Sequence, residues 1–148
     1  MLFVLFHLDH DRYAIDAREV VEILPLMDVK RLPQAPAGVA GILNYRGTPL
    51  PVIDLAAIAL GRVAVERLST RILIVRSAGG RQLALIAEGA NETLKREADE
   101  FEAAGVCTAP YLGPVTKDAH GLVQWVAPDR LLSDTVREAL FQQVGEAA

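Results

Sequence analysis

The sequence is short of the residues that carry most chemistry and most thick cores. Its 148 residues hold one cysteine, one tryptophan, three histidines and 5% aromatics. A lone Cys107 excludes an internal disulfide and has no second thiol at metal-binding spacing; the expected role is that of a small, partly buried apolar residue. With so few rings, the core must come from Val, Ile, Leu and Ala, which suits strands with a few short helices. No apolar run is long enough to span a bilayer. The opening Met1-Leu2-Phe3-Val4-Leu5-Phe6 is also too short for a signal h-region, with no basic residue before it. A cytoplasmic chain that starts straight into a strand is expected, without direct membrane insertion. A basic stripe is missing too: Lys30-Arg31 and Lys95-Arg96 are isolated doublets in a chain of net charge −4. Such a chain gains nothing by neutralising phosphates, so nucleic acid is not an expected partner.

What is present is the balance of a soluble globular protein, 51% hydrophobic and 23% charged, in a length that fits one domain or two small subdomains sharing a core. Residues 2–8 form an apolar run ended by the polar cluster Asp9-His10-Asp11-Arg12, and Tyr13-Ala14-Ile15-Asp16 resumes it, a β-hairpin pattern. Ala17 to Leu24 reads as one or two turns of amphipathic helix, with Asp16 as N-cap and Pro25 as its end. Two prolines and a glycine make 31–38 an ordered crossing loop. Val39–Tyr45 and Pro49–Leu55 are strand-like runs around a short break containing Gly47, a hairpin signal. Pro49 and Pro51 cannot donate to a ladder and place their strand at an edge or bulge. Leu55–Leu60 before Gly61 reads as a short helix, for which Asp54 is a sufficient N-cap. Further strands are expected at 71–76, 82–87, 111–115 and 121–126. About eight or nine short strands suggest barrels or a sandwich. By propensity alone 90–104 reads as helix. From Asp129 to Val144 an apolar stripe recurs at Leu132, Val136, Leu140 and Val144, a helix that is expected to pack on its own barrel.

Catalytic groupings are not visible. Ser69, Ser77 and Ser133 lack a G-x-S-x-G elbow, Gly79-Gly80 lacks the length and lysine of a phosphate loop, and no enzyme activity or cofactor is expected. His7, Asp9, His10 and Asp11 are the densest set of metal-ligand types, and a small-ligand or metal-binding barrel built on His7 and His10 is the alternative reading. They fall where the first hairpin must turn, however, and polar residues are needed there anyway, so no metal is expected. Asn44-Tyr45-Arg46-Gly47 is the remaining unexplained feature. An arginine at a hairpin tip presents a rigid five-donor fork suited to a partner's carboxylates or carbonyls.

Those residues belong to a longer pattern. Pro33, Pro36, Val39, Gly41, Asn44, Arg46, Gly47, Pro51, Val52, Asp54 and Leu55 make eleven matches over 23 positions to P-x-x-P-x-x-V-x-G-x-x-N-x-R-G-x-x-x-P-V-x-D-L. Upstream stand Tyr13-Ala14-Ile15-Asp16 and Val20 with Glu22-Ile23; downstream stand Arg71–Val75, Tyr111-Leu112-Gly113 and Asp129–Leu132. The chain thereby resembles the CheW family of chemotaxis coupling proteins over residues 3 to 132. The resemblance implies a mainly β fold of two interlocked five-stranded Src-homology-3-like barrels with short helices. It divides the single domain 1–148 into a first barrel at roughly 13–66, a second from 1–12 and 67–132, and an extra C-terminal helical extension at 133–148. It implies an adaptor role, recruited to membrane receptor assemblies, between the cytoplasmic tip of a methyl-accepting receptor and the regulatory domain of a CheA-like histidine kinase. Receptor contact carries over to Val20, Gly41, Asn44, Arg46 and Gly47, with Val20 and Gly41 lining an apolar trough. Kinase-contact residues carry over to no particular positions, although exposed strand residues of the second barrel are the expected source. The resemblance also favours strand through Leu94 over helix, leaving 97–104 as a possible helix. Ala87-Glu88-Gly89-Ala90-Asn91-Glu92-Thr93-Leu94 departs from the family's pattern and implies a locally altered second barrel.

Overall fold

A computed structural model of the chain describes residues 1–105 and 109–147; Cys107 lies outside the described residues. The order is β1 (Leu2–Leu8), β2 (Asp11–Asp16), β3 (Val20–Pro25), β4 (Val39–Tyr45), β5 (Thr48–Asp54), α1 (Leu55–Leu60), β6 (Arg71–Arg76), β7 (Gln82–Lys95), β8 (Leu112–Asp118), β9 (Gly121–Val126) and α2 (Asp134–Ala147).

The strands form two five-stranded sheets that share β7. Residues 82–87 of β7 pair with β6, and 84–86 also with β5, which continues to β4 while β6 continues to β3. From Glu88 to Lys95 the same strand pairs with β1, followed by β2, β9 and β8. Each sheet contains one parallel pair, β5 with β7 and β2 with β9. Each is closed into a barrel by one isolated bridge, Lys30↔Ile42 in the first and Glu102↔Val115 in the second. Both bridges carry two main-chain hydrogen bonds of 2.7 to 3.0 Å. Closure removes the free edges that would otherwise invite pairing with other chains.

This pairing crosses the expected division at two strands. β2 lies in the barrel of β1 and β9, and β6 lies in the barrel of β3, because the β1–β2 and β6–β7 hairpins keep consecutive strands side by side. The crossing between barrels is made by the fourteen-residue β7, whose register with β1 shifts between Leu5 and His7. The small Ala87 and Ala90 are buried at that crossing, which is where the sequence departs from the family's pattern.

Burial explains why β1 reads as an unbroken apolar run. Phe3 and Leu5 point into the second barrel with Ala14, Phe101 and Val123, while Val4, Phe6 and Leu8 point into the layer between barrels with Ile15, Ile53, Leu73 and Leu85. A strand with both faces covered has no polar side to show. The first barrel's interior is filled by Leu43, Leu50, Val52, Ile72, Ile74, Ala84 and Ile86.

Two helical expectations are corrected. Only Ala17–Glu19 forms a 3-10 turn, capped by the Asp16 carboxylate at 2.9 Å from the Arg18 N–H. Val20 onwards is strand, since the β-branched Val20, Val21 and Ile23 fit a ladder with β6 better than a helix. Within 97–104 helix is likewise limited to the 3-10 turn Ala98–Glu100. Phe101 must extend to bury its ring against Phe3 and Trp125, at 5.2 and 5.0 Å between centroids, and Glu102 must extend to close the second barrel. The prolines of β5 are accommodated as expected for an edge: Pro49 and Pro51 face only β4, and pairing with β7 starts at Val52. Asp54 caps α1 through the Ala56 and Ala57 N–H groups at 3.0 and 3.2 Å, and its second oxygen accepts from Ala64 at 2.9 Å.

Candidate functional site

The β4–β5 hairpin turns in two residues, Arg46 and Gly47, between the Tyr45↔Thr48 pair. Both have positive φ, 51° and 86°, the combination of a type I′ turn, whose twist matches that of the flanking strands. Asn44 supports the turn by accepting the Gly47 N–H at 2.9 Å. Glycine at the second position is free of strain. Arginine at the first is not: a side-chain-bearing residue in the left-handed region costs about 1 kcal/mol or more.

The strained position gives the side chain a fixed course. The Arg46 guanidinium lies 5.3 Å from the centre of the Tyr45 ring and donates to Glu22 Oε1 at 2.8 Å. Tyr45 donates its hydroxyl to the same oxygen at 2.5 Å, a bond that raises the phenol's pKa above its ordinary value. One carboxylate on β3 thus orients an arginine and a tyrosine on the neighbouring hairpin. The Arg46 side chain is nevertheless 74% exposed, so most of its five donors face solvent from a pre-set direction. That is the arrangement for gripping carboxylates or carbonyl groups at a partner's surface, with part of the ordering cost met before binding.

The expected site residues separate into two groups. Asn44, Arg46 and Gly47 form the exposed corner. Val20 stands two residues before Glu22 on β3, half-buried and packed against the layer between barrels. Gly41 does not line a trough. It is buried at φ 150°, and a Cβ there would stand 2.0 Å from the Lys30 carbonyl oxygen; its place is inside the closure of the first barrel. Glu22 and Tyr45 complete the corner and were not anticipated as site residues. Glu22 served only to set the alignment of Val20, and nothing local to either segment links positions 24 apart in sequence.

The other polar cluster is differently employed. Asp9 and His10 do occupy the β1–β2 turn, but the Asp9 and Glu88 carboxylates are held by Arg62 at 2.9 and 2.6 Å. Among the described residues no three His, Cys, Asp or Glu side chains gather as a metal site would require. Nor is any helix among them long and apolar enough to cross a membrane.

The family model for the CheW-like domain matches residues 2–136. A chemotaxis protein CheW of Klebsiella aerogenes is 28% identical over 102 residues, 69% of this chain and 61% of that protein. A chemotaxis protein CheW of Treponema pallidum is 44% identical over 52 residues, 35% of this chain and 31% of the relative. The chain therefore spans about three fifths of the first relative's length and about a third of the second's. The crystal structure of the scaffolding protein TtCheW from Thermoanaerobacter tengcongensis is similar at a TM-score of 0.80 and 24% identity, covering 88% of this chain and 86% of that one. At that identity the likeness establishes the mainly β fold.

Proposed function

Because the chain belongs to the CheW-like domain family, we propose that it is a non-catalytic adaptor of chemosensory signalling, joining the cytoplasmic tip of a methyl-accepting receptor to the regulatory domain of a CheA-like histidine kinase. The relatives' names, chemotaxis protein and scaffolding protein, support this role. In this reading the protein works in the cytoplasm at membrane receptor assemblies and uses no cofactor.

The observation that carries the receptor contact is Arg46 itself, held at a strained turn position by Glu22 and still open to solvent. A residue that costs stability where it stands, and buries little, is explained by what it binds. Asn44 and Gly47 make the turn that presents it, and Val20 supplies apolar surface on the adjoining strand. Receptor contact therefore rests on Val20, Asn44, Arg46 and Gly47, with Gly41 acting indirectly through the barrel.

Arg46→Gly is the discriminating variant. It removes the guanidinium while relieving the φ strain, so stability should change by less than about 1 kcal/mol in chemical denaturation. Affinity for a receptor-tip fragment should fall by about thirtyfold or more, the size of an interface hot spot. Charge reversal with Arg46→Glu should be at least as damaging, but it also places two carboxylates side by side and is less clean. Receptor affinity unchanged in Arg46→Gly would remove the site assignment. A pull-down with the kinase regulatory domain, with and without receptor, tests the adaptor role separately.

A further inference from the structure

Helix α2 runs to Ala147, whereas the family match ends at 136, so most of the helix is additional to the shared domain. Its two deeply buried aliphatic side chains, Leu140 and Val144, both lie in that added part and pack on Leu32 and Ile42 of the first barrel, with Ala35, Val39 and Leu132 at the margins. The barrel beneath does not need the helix for closure, because Lys30 and Ile42 already exchange two main-chain hydrogen bonds, at 3.0 and 2.7 Å. The helix therefore lies on a completed surface.

That surface has the features of a helix receptor. It offers an apolar floor for residues four apart, and beside it Arg81, which pairs with Glu138 through Nη1 at 3.0 Å and lies 4.2 Å from the centre of the Phe141 ring. The remaining ties are few. Gln143 donates to the Pro33 carbonyl at 2.9 Å, and Arg137 donates to the Asp129 carbonyl at 2.6 Å while its buried Nε meets no acceptor among the described residues. Leu140 and Val144, together with the half-buried Phe141 packed against the layer between the barrels, are a modest anchorage for fourteen residues that must be ordered as helix.

We propose that the face formed by Leu32, Val39 and Ile42 is a binding site for a partner's amphipathic helix, and that α2 holds it closed by occupying it. The partner helix carries aliphatic side chains at four-residue spacing and a carboxylate placed to meet Arg81, the chemistry α2 itself displays. Opening of α2 then controls access, and apparent affinity for the partner falls in proportion to the closed fraction. This face is separate from the Arg46 corner and does not depend on the adaptor reading.

The full-length chain serves for the test, with a labelled peptide of residues 132–148 as probe. In hydrogen exchange, α2 amides should open about 100-fold more readily than those of Leu83–Ile86 in β7. A full-length Leu140→Asp/Val144→Asp variant, its own helix undocked, should bind the peptide one to one, with at least about 50-fold higher affinity than the wild-type chain. The peptide with Glu138→Lys should bind poorly and recover when the chain carries Arg81→Glu. Exchange of α2 in step with β7, loss of β7 protection in the variant, or absence of peptide binding by a variant with intact β7 protection would each overturn the proposal. So would dimers of the wild-type chain that vanish on Leu140→Asp, which would assign the face to a second copy.

Discussion

Gly41→Ala should leave little folded protein. A Cβ at this position would stand 2.0 Å from the Lys30 oxygen, 2.8 Å from its carbon and 3.0 Å from Val29 Cγ1, and the oxygen and carbon belong to main chain that cannot rotate away. The backbone also sits at φ 150°, where a side chain costs about 1–3 kcal/mol. Relieving the clash means separating the Lys30–Ile42 bridge and its two hydrogen bonds, each contributing about 1 kcal/mol net. Together these reach about 3–5 kcal/mol, a large share of the roughly 5–15 kcal/mol that holds a typical domain. Urea denaturation should show the midpoint collapsing or no cooperative transition at all. Gly47→Ala is the control: a Cβ there meets nothing within 4 Å, so only the φ penalty of about 1 kcal/mol applies. If Gly41→Ala unfolds at the wild-type midpoint, the closure argument fails. The consequence for function is direct: lost binding in a large substitution such as Gly41→Trp reports a broken barrel rather than a blocked trough.

Arg12→Ala should destabilise the second barrel, with a distinctive dependence on pH. Arg12 on β2 grips Asp118 at the tip of the β8–β9 hairpin with two parallel bonds of 2.6 and 2.7 Å, and Asp118 also accepts from the His120 N–H at 2.8 Å. Both side chains are only about a tenth exposed. The Arg12 hydrogen bonds, chief among the causes, hold the Asp118 carboxyl down to about 2. Its folded pKa thus lies below the ordinary value near 4, so the stabilisation is fully present above pH ~4 and is lost as pH falls from there toward ~2. Removing the arginine strands a largely buried carboxylate, at a cost of about 3 kcal/mol near neutral pH. Denaturation midpoints across pH 2–7 should show the wild type losing stability steeply below pH ~4 and Arg12→Ala losing markedly less. In Asp118→Asn/Arg12→Ala the total loss should be smaller than the sum of the two single losses. Parallel acid profiles for wild type and Arg12→Ala would show that the pair is not a source of acid sensitivity.

Legibility followed the range of the interaction. The hairpin corner, the Asp54 cap and the Gly61 end of α1 all depend on neighbours within a few residues, and each was readable from residue types and spacing. The family pattern added the strand through Leu94 against a helical propensity. Errors arose where a local preference met a distant partner. Ala17–Leu24 reads as helix until β6 supplies a ladder, and 97–104 reads as helix until Phe101 finds Phe3 and Trp125. The corner itself was half legible: Arg46 and its turn were visible, while Glu22, which aims the arginine, was not.

By itself, then, the sequence determined the fold family, the punctuation of strands and the exposed arginine at a glycine-supported turn, because φ preferences, capping and alternation act along the chain. Only the tertiary structure decided that β2 and β6 belong to opposite barrels from those expected, that Gly41 seals one of them, that Glu22 orients Arg46, and that α2 covers Leu32 and Ile42. Each of these depends on which surfaces meet when the two barrels close around a shared strand. Such long-range choices are settled by packing and burial, to which no short stretch of sequence has access.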